Sequence, residues 1–281
     1  MEDIKMSTID LAFVKQFESE VHEYFQRKGS KLDKTCRSKT GVKGKSTTFQ
    51  TYGTATAVKK TRNGDVPQSH PAHGPVECLL EDWYVQIPID KLDMLKVDHD
   101  EKEVALNASV AALGQKKDDI IITQLDATSR FVGDFTEGLG DDLLDDAIEK
   151  YWETDPPEDT ESYAALSNRA WRQFKKISEV SNADFVGDMK PHLKGRKAFD
   201  WEEIIWMHHT GLPVDGADRT SFIYHKSSVG VAVGQDIETD WWWNGKAQEW
   251  LLTLKMSCGA KLIDERGVVE LRLDDVAAPA S

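Results

Sequence analysis

The chain has 281 residues, 40% hydrophobic and 30% charged, an ordinary globular balance long enough to bury a substantial core in one or two domains. No apolar run approaches the roughly eighteen residues of a membrane span, and three scattered cysteines (Cys36, Cys78, Cys258) argue against a disulfide framework and for a reducing compartment. The net charge of −14 is unevenly spread: between Arg27 and Arg62 eleven basic residues stand beside one acid, Asp33, so this segment carries +10 and the remainder −24.

The N-terminal stretch MEDIKMSTIDLAFVKQFESE mixes charges into every turn and lacks the apolar core of a secretion signal. Residues 7–29 read as a helix. Ser7 or Thr8 can cap it, Leu11, Val14, Phe17, Val21, Tyr24 and Phe25 recur at three- and four-residue intervals, and Gly29 closes it. Residues 30–75 differ in kind. Ser, Thr, Gly and Lys dominate, the run TTFQTYGTATA at 47–57 has strand character, and NGDVPQSHPAHGP is dense in turn formers. So long an excursion with little core-forming capacity marks a functional loop or an interaction arm. His70 and His73 lie in it without acid or Cys partners at ligand spacing, so solvent exposure is the better reading than a metal site.

Residues 76–89 (VECLLEDWYVQIPI) read as extended. Asp98 and Glu101 then form a capping-box start for a long helix over 99–126, with Gly114 as a point of kink or break. Two more helices are expected, over 139–153 and 159–178, the second with Tyr163, Leu166, Ala170, Phe174 and Ile177 on one side. The acids Asp141, Asp142, Asp145, Asp146 and Glu149 suit the solvated face of the first helix better than a catalytic cluster, since no His or Cys accompanies them. Residues 183–213 mix turns with a short buried strand near Ile204–Met207. Adjacent His208 and His209 in or beside a strand point to opposite faces and do not readily share an ion.

The clearest pattern lies between Arg219 and Leu273. From Trp250 to Leu262 the even positions are Trp250, Leu252, Leu254, Met256, Cys258, Ala260 and Leu262, the period of a long strand with one buried face. A second strand over Ile237–Trp243 ends at Asn244-Gly245, a strong hairpin signal, and a third over Val268–Leu273 follows the turn Asp264–Gly267. These three are expected to form one antiparallel unit. The triplet Trp241-Trp242-Trp243 divides between the two faces of its strand, which puts at least one ring at a sheet surface or interface, with base stacking as the sharper alternative. The chain has no phosphate loop, HExxH, nucleophile elbow or CxxC.

The collinear order carries a resemblance. An N-terminal helix, a basic extended loop, the segment IPIDKLDMLKVDHDEKEVALNASVAALGQKKDDIIITQLDATS (Ile87–Ser129), a helical middle and the closing strands succeed one another. This arrangement resembles the major capsid proteins of tailed bacteriophages, which have the Hong Kong 97-type fold. Asp184–Asp188 and His209–Pro213 are similar to turns of that family's axial domain. Tyr224-His225-Lys226 with Val229-Gly230 and Val233-Gly234 resembles the strand and short helix entering the final sheet. Met256-Ser257, Gly259-Ala260, Ile263-Asp264 and Gly267-Val268 are similar to the last hairpin.

The resemblance implies an α+β fold divided as an N-terminal arm (1–45), an extended E-loop (46–76), a peripheral P domain with a spine helix (77–130), an axial A domain (131–218) and C-terminal strands completing the body (219–281). It implies a structural protein, no enzyme and without cofactor or metal, that self-assembles as hexamers and pentamers of an icosahedral viral shell around double-stranded DNA. Assembly would take place in the host cytoplasm, with portal, scaffold or decoration proteins as further partners and no membrane. Lys31, Lys34, Arg37, Lys39, Lys43 and Lys45 are the candidates for DNA or lumenal contact. Phe49, Tyr52, Lys59, Lys60, Arg62 and Trp241–Trp243 are the candidates for contact between subunits. No crosslink is assigned. Deleting residues 1–62 is expected to leave a body that folds but assembles incorrectly. Two other functions stand beside this one: an encapsulin-like nanocompartment shell holding protein cargo, and a soluble metal-dependent hydrolase using His192, His208, His209 or His225 with nearby acids.

Overall fold

The computed structural model describes residues 29–66, 68–92, 101–157, 159–177, 180 and 198–276. The expected helix over 7–29, the Asp98 cap, the turn at Asp184–Asp188 and His192 lie outside these residues, Gly29 excepted. After a 3-10 turn at Asp33–Thr35 come strands β1 (Arg37–Thr40), β2 (Ser46–Tyr52), β3 (His73–Leu79) and β4 (Glu81–Asp90), then helix α1 (Glu101–Leu125). β5 (Phe131–Val132), α2 (Asp141–Trp152), β6 (Ser162–Leu166), α3 (Asn168–Phe174), β7 (Ala198–Trp201), β8 (Ile204–His208) and β9 (Val214–Asp215) follow. The chain closes with β10 (Asp218–His225), β11 (Val229–Asn244), β12 (Glu249–Leu262) and β13 (Val268–Asp274).

The period-two run is β12, and its even-numbered residues Leu252, Leu254, Met256 and Cys258 are buried against α1. β12 pairs with β11 on one side and β4 on the other, in a four-stranded sheet ordered β1-β11-β12-β4. The expected three-stranded closing unit does not form. β13 leaves this sheet and pairs with β10 in a second one, ordered β5-β13-β10-β6-β8-β7, with β9 on β10. The closing strands are thus one long two-stranded ribbon bent at a corner, where Ser228 O accepts the N–H groups of Ile263 (2.7 Å) and Asp264 (3.2 Å). Asp264 caps the 3-10 turn Glu265–Gly267 through Arg266 N–H. Val268–Leu271 are buried on both faces, which only the interior of the second sheet provides. The hairpin at Asn244-Gly245 is a four-residue turn over Gly245–Gln248 in which Gln248, not Gly245, takes the left-handed conformation (φ 58°). The expected short helix near Lys226 is a turn between β10 and β11.

The helix expected over 159–178 is two elements. Ser162–Leu166 form β6, buried throughout between β10 and β8, and Ser167 then caps α3 by accepting the Ala170 N–H. Tyr163, Leu166, Ala170 and Phe174 do reach the interior, but a strand covered on both faces shows no alternation to betray it. In α2, Leu144, Ala147, Ile148 and Tyr151 face the core, while the five acids on its other side are exposed. Phe174 stacks on Trp206 at 4.6 Å in that core.

α1 runs unbroken through Gly114, and by its rise of about 1.5 Å per residue it is about 37 Å long. Ala105 and Leu113 pack on β12 and β4, while Ile121, Ile122 and Leu125 join Phe222, Tyr224 and Val231 in a second core. One helix therefore ties both sheets together.

Candidate assembly interface

Residues 30–75, expected to lack a core of their own, are fastened to the body at their base and exposed beyond it. Leu32, Thr35 and Cys36 are buried, β1 lies parallel to β11, and β2 pairs antiparallel with β3 from Ser46↔Leu79 to Tyr52↔His73. Gly53 N–H still donates to Ala72 O at 2.6 Å, and past that bond residues 54–66 and 68–71 have no helix or strand.

Phe49 explains the rigid base. It is 3% exposed and packs with Cys78 and Ala232 over Gly230, where an added Cβ would fall 2.7 Å from two carbons of its ring. Arg37 lies over the ring at 5.7 Å. Phe49, a candidate for contact with another subunit, thus spends its ring inside its own chain. Tyr52 is the opposite case: it is 74% exposed and stacks on His73 at 5.9 Å. Lys59, Lys60 and Arg62 are exposed on the loop.

The candidates for polyanion contact form an exposed run. Lys31, Lys34, Arg37, Lys39, Lys43 and Lys45 are all exposed. Lys39 Nζ donates to Thr47 Oγ1 at 2.7 Å and Lys31 Nζ to His208 O at 3.5 Å. Asp33, the one acid of the segment, is already occupied by Lys117 of α1 at 2.7 Å. Among the described residues, Lys34, Arg37, Lys39, Lys43, Lys45, Lys59, Lys60 and Arg62 have no acidic partner, so their charge is uncompensated within the chain.

The tryptophan triplet divides as the strand period requires. Trp243 meets Trp250 edge-on at 5.3 Å, and Trp241 shares with Trp250 the ammonium of Lys102, at 5.5 and 5.1 Å. Trp242, 54% exposed, lies on the other face, paired in register with Leu251. The three candidates are therefore not one patch. Trp241 and Trp250 meet the start of α1 through Lys102, Trp243 packs on Trp250 and lies under Lys91, and Trp242 is the most exposed ring of the three.

Among the described residues, the histidines of the hydrolase reading form no metal cluster. His209 bonds to Asp118, and His225 is held between Thr160 and Ser227, with burial pushing its pKa down. Burial raises the Cys36 thiol to about 12 and Cys258 to about 11, which leaves neither as a nucleophile near neutrality. Among the described residues no three His, Cys, Asp or Glu side chains come together as a metal site.

The phage capsid protein family matches residues 9–275. The chain belongs to that family. No curated protein matches the capsid protein in sequence. Its fold is that of solved phage capsids. The capsid of the cyanophage P-SCSP1u superposes with a TM-score of 0.77 at 17% identity, covering 97% of this chain and 96% of that one. The native GTA particle capsid gives 0.74 at 9% identity, covering 96% and 99%, and the cyanophage Pam1 capsid 0.71 at 13%, covering 98% and 99%. The α+β architecture is thus the Hong Kong 97-type capsid fold, and the protein is a major capsid protein of the virion. No comparison favours a hydrolase. Sequence reasoning missed the glycines that seat the hairpin: Gly230 beneath Phe49, and Gly259, whose missing Cβ leaves room for the Leu79 carbonyl. Each looks like an ordinary strand residue.

Proposed function

We propose that this capsid protein assembles as hexamers and pentamers of an icosahedral shell around double-stranded DNA, formed in the host cytoplasm with portal, scaffold or decoration proteins as partners. The observation that carries the reading is the uncompensated basic segment on an acidic chain. Among the described residues, Lys34, Arg37, Lys39, Lys43, Lys45, Lys59, Lys60 and Arg62 meet no acid, which favours partners on DNA or on another copy. Residues 1–45 serve as arm, 46–76 as the loop that reaches a neighbour, 77–130 and 131–218 as peripheral and axial domains, and 219–281 as the closing strands. Lys31, Lys34, Arg37, Lys39, Lys43 and Lys45 take the polyanion. Tyr52, Lys59, Lys60, Arg62 and Trp242 take the neighbour.

Electron microscopy of the purified protein, followed by nuclease treatment and analysis of protected nucleic acid, tests this. Uniform shells holding nuclease-resistant DNA are expected. A monomer that forms no particles under any condition refutes assembly, and shells that protect protein cargo but no DNA refute the DNA part.

A further inference from the structure

Asp118 sits within α1 with its carboxylate wholly buried, and donors from two distant parts of the chain converge on it. Ser30 Oγ donates to Oδ1 at 2.5 Å, Lys31 N–H lies 3.1 Å from both oxygens, and Leu32 N–H lies 3.1 Å from Oδ1. From the other side His209 Nε2 reaches Oδ2 at 3.1 Å. The Gly211 amide donates to His209 Nδ1 at 3.1 Å, which puts the ring proton on Nε2 and makes the imidazole a donor to Asp118.

Two neighbours on α1 complete the arrangement. One turn earlier, Gly114 has no side chain, and the backbone of Gly29 fills its place: a Cβ there would fall 2.6 Å from Gly29 Cα. Beside Asp118, Lys117 holds Asp33 at 2.7 Å. Past this point Leu32 and Cys36 enter the core, and Thr35 shares a hydrogen bond with Tyr224 at 2.6 Å.

A buried carboxylate is costly unless its lone pairs are used, so this cage needs a reason beyond holding the segment down. Leu32 and Cys36 would suffice for that, but apolar contact has no direction. Charge-assisted bonds to two successive backbone amides do: they fix the orientation of the chain itself. Immediately outside the cage stands Gly29 at φ 73°, with open space around its missing side chain.

We propose that Asp118 is the positioning residue that fixes the place and direction of the backbone at Gly29–Leu32, so that every copy in a shell presents the basic segment that follows alike. The inference rests on the capsid assembly reading. Full-length D118N and S30A are compared with the parent by two readouts: amide hydrogen exchange and trypsin cleavage of unassembled subunits, and particle yield and diameter by electron microscopy. D118N is expected to speed exchange at Lys31 and Leu32 by about tenfold or more, to open the bonds after Lys31 and Lys34 to trypsin, and to spread particle size while β10–β13 stay protected. S30A, which keeps the charge and removes one donor, is expected to do the same to a smaller extent. Unchanged exchange at both amides in both variants overturns the proposal. So does an equal loss of protection across β10–β13, which would make Asp118 a general core residue. Normal particles from D118N subunits whose amides have loosened also overturn it. A parent that never assembles refutes the capsid reading instead, and the exchange data then still decide whether Asp118 is the anchor.

Discussion

Truncating Phe49 to alanine is expected to cost about 3–5 kcal/mol, the range for a buried aromatic ring, because Gly230 beneath it has no side chain to fill the gap. Gly230→Ala attacks the same packing from below. Its Cβ would press on the Phe49 ring at 2.7 Å and on Ile263 Cδ1 at 2.8 Å, an overpacking worth about 1–3 kcal/mol. Urea unfolding of both single variants and the double variant checks this, with a double-variant loss smaller than the sum of the singles as the sign of direct coupling. A second prediction concerns Asp118. Burial alone would raise its carboxyl, but the hydrogen bonds from His209, Ser30 and the amides of Lys31 and Leu32 outweigh burial and hold it below its ordinary 3.8. A carboxyl depressed in the folded state contributes stability above its unfolded pKa and loses it as pH falls through the folded value. Beside Asp118 in sequence, Lys117 is paired with Asp33 at 2.7 Å. Unfolding free energy should therefore fall more between roughly pH 5 and pH 3 in the parent than in D118N; equal slopes would contradict the assignment. Neither residue was legible in the sequence. Phe49 sits in a Thr-rich strand that looks solvent-facing, and Asp118 stands among the charges of a long helix, because the partners that define each lie far away along the chain.

At the scale of elements, the loop over 54–71 and the base beneath it behave differently. Gly53 and Ala72 are still paired, whereas nearly every described residue between them is exposed. Replacing residues 54–71 by Asn-Gly, a tight turn between antiparallel strands, is expected to leave the thermal midpoint within a few degrees of the parent and to abolish regular shells. Normal particles from that variant would remove the loop from assembly. Deleting residues 1–62, by contrast, is expected on structural grounds to damage the fold. It removes Leu32 and Cys36 from one core, β1 from the edge of β11, and Phe49 with the whole of β2. Composition pointed the other way because Ser, Thr, Gly and Lys look uniformly polar, and two or three buried residues among them leave no period. β12 was legible for the opposite reason, one buried face over a long run. β6 was hidden because both its faces are covered, and its apolar residues joined those of α3 into a false helical stripe.

For the whole molecule, what counts is how charge and connection are shared out. α1 and the bent closing ribbon each span both sheets, so the body is a stiff unit, and segment 27–62 places a charge of +10 against −24 elsewhere. That imbalance was readable from composition. Its consequence needed the structure, because only there is it clear that Lys117 occupies Asp33 and that, among the described residues, Lys34, Arg37, Lys39, Lys43, Lys45, Lys59, Lys60 and Arg62 have no acidic partner. If these bases meet acids on neighbouring copies, assembly must weaken as salt screens them, since the Debye length shrinks from about 30 Å at 0.01 M to about 8 Å at 0.15 M. If they meet DNA, each base–phosphate pairing removed should lower the slope of log affinity against log salt by about 0.9. Neutralising Lys39, Lys43 and Lys45 to glutamine separates the two. For DNA binding, the variant should form shells at the parental yield, hold less nucleic acid, and bind duplex DNA as free subunits with a salt slope smaller by about 2.7. For pairing between copies, shell yield itself should fall and DNA binding should stay as it was. The placement of all three on the exposed run between Arg37 and Ser46, away from the loop that carries Lys59, Lys60 and Arg62, favours the first result, and an unchanged DNA slope would assign them to the neighbour instead.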